Sequence, residues 1–257
     1  MIKAVLFDFG QTLVDSADAF RTAEKEAKEK LFSYLSAAAD GSSWDTFLPL
    51  YRSVRKAFHR KSNFSRQAIW TAVCTEFGCK PDPEVFEKWE NEYWKRVGSR
   101  TSPFPETVSV LEELSQTYPL SMVTNTQGQK RSGNHRLALF PQLERFFQVI
   151  IVAGESGVPP KPHIEPFRLC VEQLGIHPGE AVFVGDDWRI DICGARDAGI
   201  QPIWLQHHSV KRNWPEVETD IPIITRLDEL HDLVPQQSIA SVVLPEGYHG
   251  KNILIRH

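Results

Sequence analysis

Acidic side chains follow two apolar segments of this 257-residue sequence, at points where strands would end. Asp8 comes directly after residues 4–7, and a second apolar segment, 181–184, is followed by Gly185 and then by Asp186, Asp187 and Asp191. In a parallel sheet these acids would converge at the carboxyl edge. Like charges repel unless a cation lies among them, and a hard divalent ion with oxygen ligands is the simplest neutraliser. The pattern therefore predicts a Mg²⁺ site.

A hydroxyl, an amide and an ammonium group accompany these acids. Thr124 and Asn125 follow the apolar segment 120–123, and Lys161 stands in a loop between two prolines. A metal ion, a lysine and a hydroxyl around one carboxylate suit phosphoryl transfer, in which catalysis is mostly positioning and charge neutralisation. Asp8 would then be the nucleophile, and its attack on phosphorus would give an aspartyl-phosphate.

Short, β-rich apolar segments must position these side chains, and each is followed by a turn and a helical pattern. The predicted strands are residues 4–7, 120–124, 149–153, 181–184 and 202–205. Helices are predicted over residues 105–117 and 164–174, with proline near the start of the first and Gly175 just past the end of the second. This alternation predicts an α/β fold: a Rossmann-like parallel sheet with helices on both faces.

More than a hundred residues separate the first two predicted strands, and almost all of them have helical patterns. We therefore expect an inserted all-helical domain over residues 16–100. The α/β core domain would comprise residues 1–15 and 101–235. Residues 236–257 form a C-terminal extension with two short strand patterns, which could make a β-hairpin.

Helix-end signals and charge characterise the insertion. One predicted helix follows Ser65 and stops at Gly78, and another begins at Asp82 and ends at Val97, before Gly98. Residues 16–100 hold 15 Lys or Arg against 12 Asp or Glu, which gives +3 there and leaves −7 for the rest of the chain.

A basic helix face lies within this insertion. Residues 47–60 form an amphipathic pattern with Arg52 and Arg55 on the basic side. Two interpretations stay open: a solvated face without a ligand, or a wall that attracts an anionic substrate, with Arg52 and Arg55 as the binding candidates.

Composition narrows the function classes. The 29 basic and 33 acidic side chains give a net charge of −4, which provides no global field for nucleic acid or an anionic membrane. No apolar segment approaches the length of a membrane span. The apolar stretch before Asp8 is too short for a signal peptide, so we expect a cytoplasmic protein. The four cysteines have no metal-site spacing, and nothing indicates the oligomeric state.

Taken in order, these residues resemble the four sequence motifs of the haloacid dehalogenase (HAD) superfamily. The matching positions are Asp8 with Thr12, then Thr124, then Lys161, then Gly185 and Asp186 with Asp191. The resemblance spans residues 3 to about 234, and the helical insertion looks like the cap domain of this superfamily in its C1 position.

The resemblance implies a role for each matching residue. Asp8 would be the nucleophile. Asp8, Asp186 and the backbone carbonyl of Gly10 would bind Mg²⁺, with Asp191 as a further ligand or an anchor and Asp187 as a weaker candidate. Thr124 would hydrogen-bond the phosphoryl oxygens with Asn125 beside it, and Lys161 would offset the charge of Asp8. The implied activity is hydrolysis of a small phosphorylated metabolite; from the composition we expect no nucleic-acid or membrane partner.

One position departs from the superfamily pattern. Its phosphatases usually carry a second aspartate two residues after the nucleophile, where this chain has Gly10. That aspartate protonates the leaving oxygen and later activates water, which is typically worth about 10²- to 10⁴-fold. Gln11 can orient water but cannot exchange protons at useful pH. Either the leaving group needs little protonation, or Asp15, Asp18 or a cap residue supplies the proton, or turnover is slow.

The missing aspartate leaves other functions open. Dehalogenases of the superfamily also lack it, because halide departs without a proton, but they need no metal. Phosphonate cleavage through a cap lysine is a further route. A non-catalytic protein that binds a phosphorylated ligand or a partner is the alternative outside enzymes, although retention of Asp8, Thr12, Thr124, Lys161 and Asp186 argues against it.

We predict that Gly10→Asp accelerates hydrolysis of an unactivated phosphomonoester by about 10²-fold, because the new carboxyl group can protonate the leaving oxygen. Hydrolysis of p-nitrophenyl phosphate, whose leaving group needs less acid help, should accelerate much less. Steady-state rates on both esters measure the difference. Equal acceleration of the two would contradict the missing-acid argument.

Overall fold

A parallel α/β sheet organises the part of the chain that the computed structural model describes, residues 1–38, 43–61, 63–126 and 136–234. Its six strands are, in chain order, β1 (Ala4–Phe7), β4 (Leu120–Asn125), β5 (Phe147–Ala153), β6 (Ala181–Gly185), β7 (Gln201–Leu205) and β8 (Ile223–Ile224). They are all parallel and lie side by side in the order β5-β4-β1-β6-β7-β8. Two further strands, β2 (Val14–Asp15) and β3 (Ser102–Pro103), pair with each other in antiparallel fashion.

Helices cover both faces of the sheet, which confirms the predicted fold class. Alternate residues of β1 point to opposite sides: Val5 and Phe7 belong to one apolar cluster, and Ala4 and Leu6 to another. Because both faces are covered, every residue of β1 is buried and the strand reads as a continuous apolar segment. The two-residue strands escaped prediction, since so short a segment carries no periodicity.

The helices within the described residues differ widely in length. They are α1 (Ala17–Ala38), α2 (Trp44–Arg60), α3 (Arg66–Glu76), α4 (Pro83–Ser99), α5 (Thr107–Ser115), α6 (Pro141–Glu144), α7 (Glu165–Gln173), α8 (Cys193–Asp197) and α9 (Leu230–Leu233). None of them combines the length and the hydropathy that crossing a membrane requires.

Two compact units make up the chain. Among the described residues, the first unit contains Met1–Asp15, Ser102–Asn125 and residues 136–234, and the second contains those of Ser16–Thr101 together with Thr126. Residues 236–257, for which the sequence predicts an extension and a hairpin, lie outside the described residues.

Helix ends in the second unit follow local side-chain chemistry. The side chain of Ser65 accepts a hydrogen bond from the Ala68 amide at the start of α3, and Asp82 caps α4 in the same way. The prediction that α4 stops before Gly98 is wrong, because the helix continues to Ser99. One glycine costs a helix only about 1 kcal/mol, and the burial of Val97 stabilises this last turn.

Candidate active site

Asp8 begins the site, directly after the central strand β1. Its backbone amide donates to the Val184 carbonyl over 2.9 Å, which continues the pairing with β6 past the end of β1. The residue is 8% exposed. Because β1 lies between β4 and β6, side chains from the carboxyl ends of three strands meet around Asp8.

Lys161 joins two of the carboxylates. Its Nζ donates to Asp8 Oδ1 at 2.8 Å, to Asp191 Oδ1 at 2.6 Å and to the Val123 carbonyl at 2.8 Å. These three bonds use all the donors of an ammonium group. Burial alone would lower the pKa of Lys161, but Asp191 and Asp8 outweigh it and the net pKa is raised. Lys161 therefore stays charged although it is only 1% exposed.

Asn125, at the end of β4, holds the backbone of Lys161. Its Oδ1 accepts from the Lys161 amide at 2.8 Å, and its Nδ2 donates to the Lys161 carbonyl at 3.1 Å. Both ends of the side-chain amide are thus engaged. This geometry gives Asn125 a part in fixing the lysine loop, a contact that its position beside Thr124 in the sequence did not reveal.

A π-helical turn, Trp188–Ile192, brings Asp191 back to the end of β6. Asp187 caps this turn, with Oδ1 accepting from the amides of Arg189 and Ile190. The Asp187 amide in turn donates to Asp191 Oδ2 at 3.0 Å. Gly185 is required here, because a Cβ at that position would lie 2.5 Å from Asp191 Cβ and 2.8 Å from its Oδ2.

Asp8, Asp186 and Asp191 form an acidic cluster, in which one carboxylate oxygen of each lies within 4.8 Å of the others. All three residues are buried. Burial, followed by the charges of Asp191 and Asp8, raises the pKa of Asp186 well above its usual value. Burial also raises the pKa of Asp191 to about 6, although Lys161 opposes the shift. Clustered carboxylate oxygens of this kind fit a hard divalent cation such as Mg²⁺.

Two hydroxyl residues and a glycine complete the predicted set. Thr12 is fully buried, and its Oγ1 has no hydrogen-bond partner among the described residues. Thr124 is buried at the end of β4, one residue before Asn125. Gly10 is partly exposed and bridges to Val14, in the turn between β1 and β2. Since its φ is not positive, an amino acid with a side chain fits the backbone there.

The two predicted substrate-binding arginines belong to the second unit, on α2. Arg52 is exposed, and Arg55 is partly exposed with its Nε 3.4 Å from Glu24 Oε1. Arg52 and Arg55 therefore belong to a different unit from Asp8 and the residues around it.

Sequence reasoning missed Arg212, which lies in the loop after β7. Its Nη1 donates to Asp186 Oδ2 at 2.5 Å, and its Nη2 lies 3.8 Å from Asp187 Oδ2. No motif marks this residue, and 26 positions separate it from Asp186. Only the path of the loop brings its charge to the acidic cluster.

We predict that Asp186→Asn stabilises the metal-free protein more as the pH rises. The raised pKa of Asp186 means that the folded chain holds its proton at pH values where the unfolded chain has lost it. Ionisation of Asp186 therefore disfavours folding above about pH 4, and the asparagine variant avoids this cost. Urea unfolding in EDTA between about pH 4 and pH 7 would measure the difference from the wild type.

Asp228→Asn is the matched control for that measurement. The hydrogen bond from Arg226 lowers the pKa of this exposed aspartate, so its replacement should cost more stability, not less, as the pH rises. A stability difference between Asp186→Asn and the wild type that stays constant across this range would contradict the prediction.

Known proteins resemble this chain over most of its length. It is 27% identical to glyceraldehyde 3-phosphate phosphatase of Methanopyrus kandleri over 238 aligned residues. The alignment covers 91% of this chain and 97% of that protein. It is 26% identical over 247 residues to 5-amino-6-(5-phospho-D-ribitylamino)uracil phosphatase of Escherichia coli, with 91% and 96% covered.

Solved structures share the fold. A HAD phosphatase from Thermococcus onnurineus superposes with a TM-score of 0.66 at 25% identity, covering 92% of this chain and 99% of that one. A 2-haloacid dehalogenase from Pseudomonas syringae has a TM-score of 0.64 at 23% identity, with 91% and 98% covered, a likeness that shows the fold alone. Residues 5–205 match the family model of haloacid dehalogenase-like hydrolases, and the chain belongs to that family.

Proposed function

We propose that this hydrolase removes phosphate from a small phosphorylated metabolite in a Mg²⁺-dependent reaction, through an aspartyl-phosphate on Asp8. The observation that carries the proposal is the acidic cluster of Asp8, Asp186 and Asp191 beside the buried ammonium group of Lys161. A carboxylate nucleophile next to a fixed positive charge and a set of metal-binding oxygens suits attack on a phosphoryl group.

The proposed steps assign one role to each residue around Asp8. The Asp8 carboxylate attacks phosphorus, the ester oxygen leaves with its electron pair, and water then hydrolyses the acyl phosphate. Lys161 offsets the negative charge on Asp8 and on the intermediate. Thr124 donates a hydrogen bond to a phosphoryl oxygen. The buried hydroxyl of Thr12 is a second hydrogen-bond donor in the site. Asn125 holds Lys161 in position, as its two bonds to the lysine backbone support.

The residues that would hold Mg²⁺ are Asp8, Asp186 and the backbone carbonyl of Gly10. When bound, the ion would supply positive charge at the phosphoryl oxygens. Asp191 can be a further ligand or an anchor, and the anchor role has the better support. Its Oδ1 accepts from Lys161 and its Oδ2 accepts from the Asp187 amide.

Phosphate transfer is favoured over carbon–halogen hydrolysis. The two relatives described above are named phosphatases of small phosphate esters. Dehalogenation would have no use for the additional carboxylates, whose mutual repulsion is costly without a cation. We also propose that the reaction takes place in the cytoplasm, where charged phosphate esters remain because a membrane excludes them.

Asp8→Asn should reduce Mg²⁺-dependent phosphate release by about 10³-fold or more, because the amide cannot act as the nucleophile. Phosphate release from a panel of phosphate esters, with Mg²⁺ and with EDTA, measures the loss. Asp228→Asn, a surface aspartate of the same unit, should keep the wild-type rate. Unchanged activity of Asp8→Asn would reject the nucleophile, and EDTA-insensitive halide release from 2-haloacids would favour the dehalogenase instead.

Replacing Arg52 and Arg55 together by alanine should raise KM about tenfold with little change in kcat, if these cations contribute to binding of the anionic substrate. Steady-state kinetics on the best ester of the panel provide the measurement. Lys88→Ala, which removes an exposed cation from α4 of the same unit, is the control and should leave KM unchanged. Equal KM values for the double variant and the control would assign the basic face to solvent.

A further inference from the structure

Arg212 places a second positive charge at the acidic cluster, on a carboxylate that Lys161 does not contact. Lys161 binds Asp8 and Asp191, whereas Arg212 donates to Asp186 Oδ2. The Asp186 side chain is 7% exposed, and that of Arg212 is 32% exposed. A bond between a buried carboxylate and a charged donor is stronger than a neutral hydrogen bond.

An aromatic cluster holds both partners of this ion pair. The guanidinium carbon of Arg212 lies 4.4 Å from the centre of the Trp214 ring, a cation–π distance. Trp214 packs edge-on against Trp204, with ring centres 6.2 Å apart. Trp204 in turn donates its Nε1 proton to the Asp186 carbonyl at 3.0 Å. The loop after β7 and the end of β6 are thus tied together around this contact.

Burial separates the two cations of the site. Lys161 is almost completely buried and uses all three donors on protein oxygens, so its removal would leave several buried groups unpaired. Arg212 reaches the cluster from a loop and keeps about a third of its side chain in water. Of these two cations, Arg212 is the one that can leave the cluster at the lower cost.

If the Arg212 guanidinium and a metal ion both bind the Asp186 carboxylate, each weakens the binding of the other. The bonded Arg212 occupies one of the two carboxylate oxygens of Asp186, and two adjacent cations repel. Lys161 and Arg212 bring one positive charge each to the three carboxyl groups, whereas a dication in place of Arg212 would bring two.

We propose that Arg212 is a built-in competitor for the divalent cation: it donates to the Asp186 side chain while no metal is bound and moves off Asp186 when a metal binds. Arg212 is then a positioning residue that sets the metal affinity of the site. The inference deepens the proposed function, because it rests on Asp186 as a metal ligand. It does not rest on the phosphatase reaction, since metal binding can be measured without a substrate.

Calorimetric titration of the full-length protein with MgCl₂, and competition with Mn²⁺ followed by electron paramagnetic resonance, would test the proposal. Arg212→Gln should bind Mg²⁺ about tenfold more tightly than the wild type, because the competing state is removed. Arg212→Lys should fall between the two. Arg226→Gln is the matched control, since it removes an arginine from an exposed pair with Asp228, and its affinity should equal that of the wild type.

Tryptophan fluorescence gives an independent readout of the movement. Indole emission depends on nearby charge, so Mg²⁺ should change the emission of the wild type as Arg212 leaves Trp214. The change should shrink in both Arg212→Gln and Trp214→Phe.

Weaker or unchanged Mg²⁺ binding by Arg212→Gln would overturn the proposal, and so would a lack of metal binding by both this variant and the wild type. If Arg212→Gln fails to fold, as judged by circular dichroism, the comparison of Arg212→Lys with the wild type decides in the same way. If the wild-type protein shows no phosphatase activity but Arg212→Gln binds Mg²⁺ more tightly as predicted, the proposed reaction is refuted and the competition between Arg212 and the metal is not.

Discussion

The bridge that Lys161 makes between Asp8 and Asp191 is the interaction on which the site depends. Three carboxylates at one edge of a sheet repel each other, and each loses much of its hydration through burial. One ammonium group bonded to two of them at 2.8 and 2.6 Å makes the arrangement tolerable. Its third bond, to the Val123 carbonyl, ties the same charge to β4. Strand β1, strand β4 and the turn after β6 therefore meet at a single nitrogen atom.

The surrounding backbone is built to keep that nitrogen and its partners in place. Asn125 fixes the main chain of Lys161 from the end of β4, and Asp187 caps the π-helical turn that carries Asp191. Gly185 leaves the space that the Asp191 side chain fills. These residues act through others, so their chemistry is that of capping and packing. Their effect is to hold acidic groups closer together than repulsion alone would allow.

Gly10 leaves the charged groups of this site in place but removes the side chain that would transfer a proton, and so it affects the rate of the reaction. Relatives of this chain are named as phosphatases, and a neighbour with the same fold is named as a dehalogenase, so the shared sheet does not choose between the two reactions. The charges of the acidic cluster and of Arg212 suit a site that binds a metal ion and a phosphate ester. Proton transfer to the leaving group is a separate requirement that a glycine cannot meet. A substrate with a good leaving group, or a proton donor from elsewhere, would reconcile the two features.

The sequence by itself determined the fold class and the strands that carry the site, because periodicity, helix-end residues and strand length are local properties of the chain. The five longer strands lie within one or two residues of their predicted positions, whereas β2, β3 and β8 are too short to leave a pattern. The sequence also predicted that Asp8, Asp186 and Lys161 act together, because the order of the motifs along the chain is specific although no single residue is decisive. Only the tertiary structure decided what each polar atom contacts. Asn125 binds the Lys161 backbone, Asp191 divides its two oxygens between Lys161 and a backbone amide, and Arg212 reaches Asp186 from a loop without a motif. Apart from the bond between Asp187 and Asp191, these contacts join residues 26 to 36 positions apart, and no local pattern encodes the distance between them.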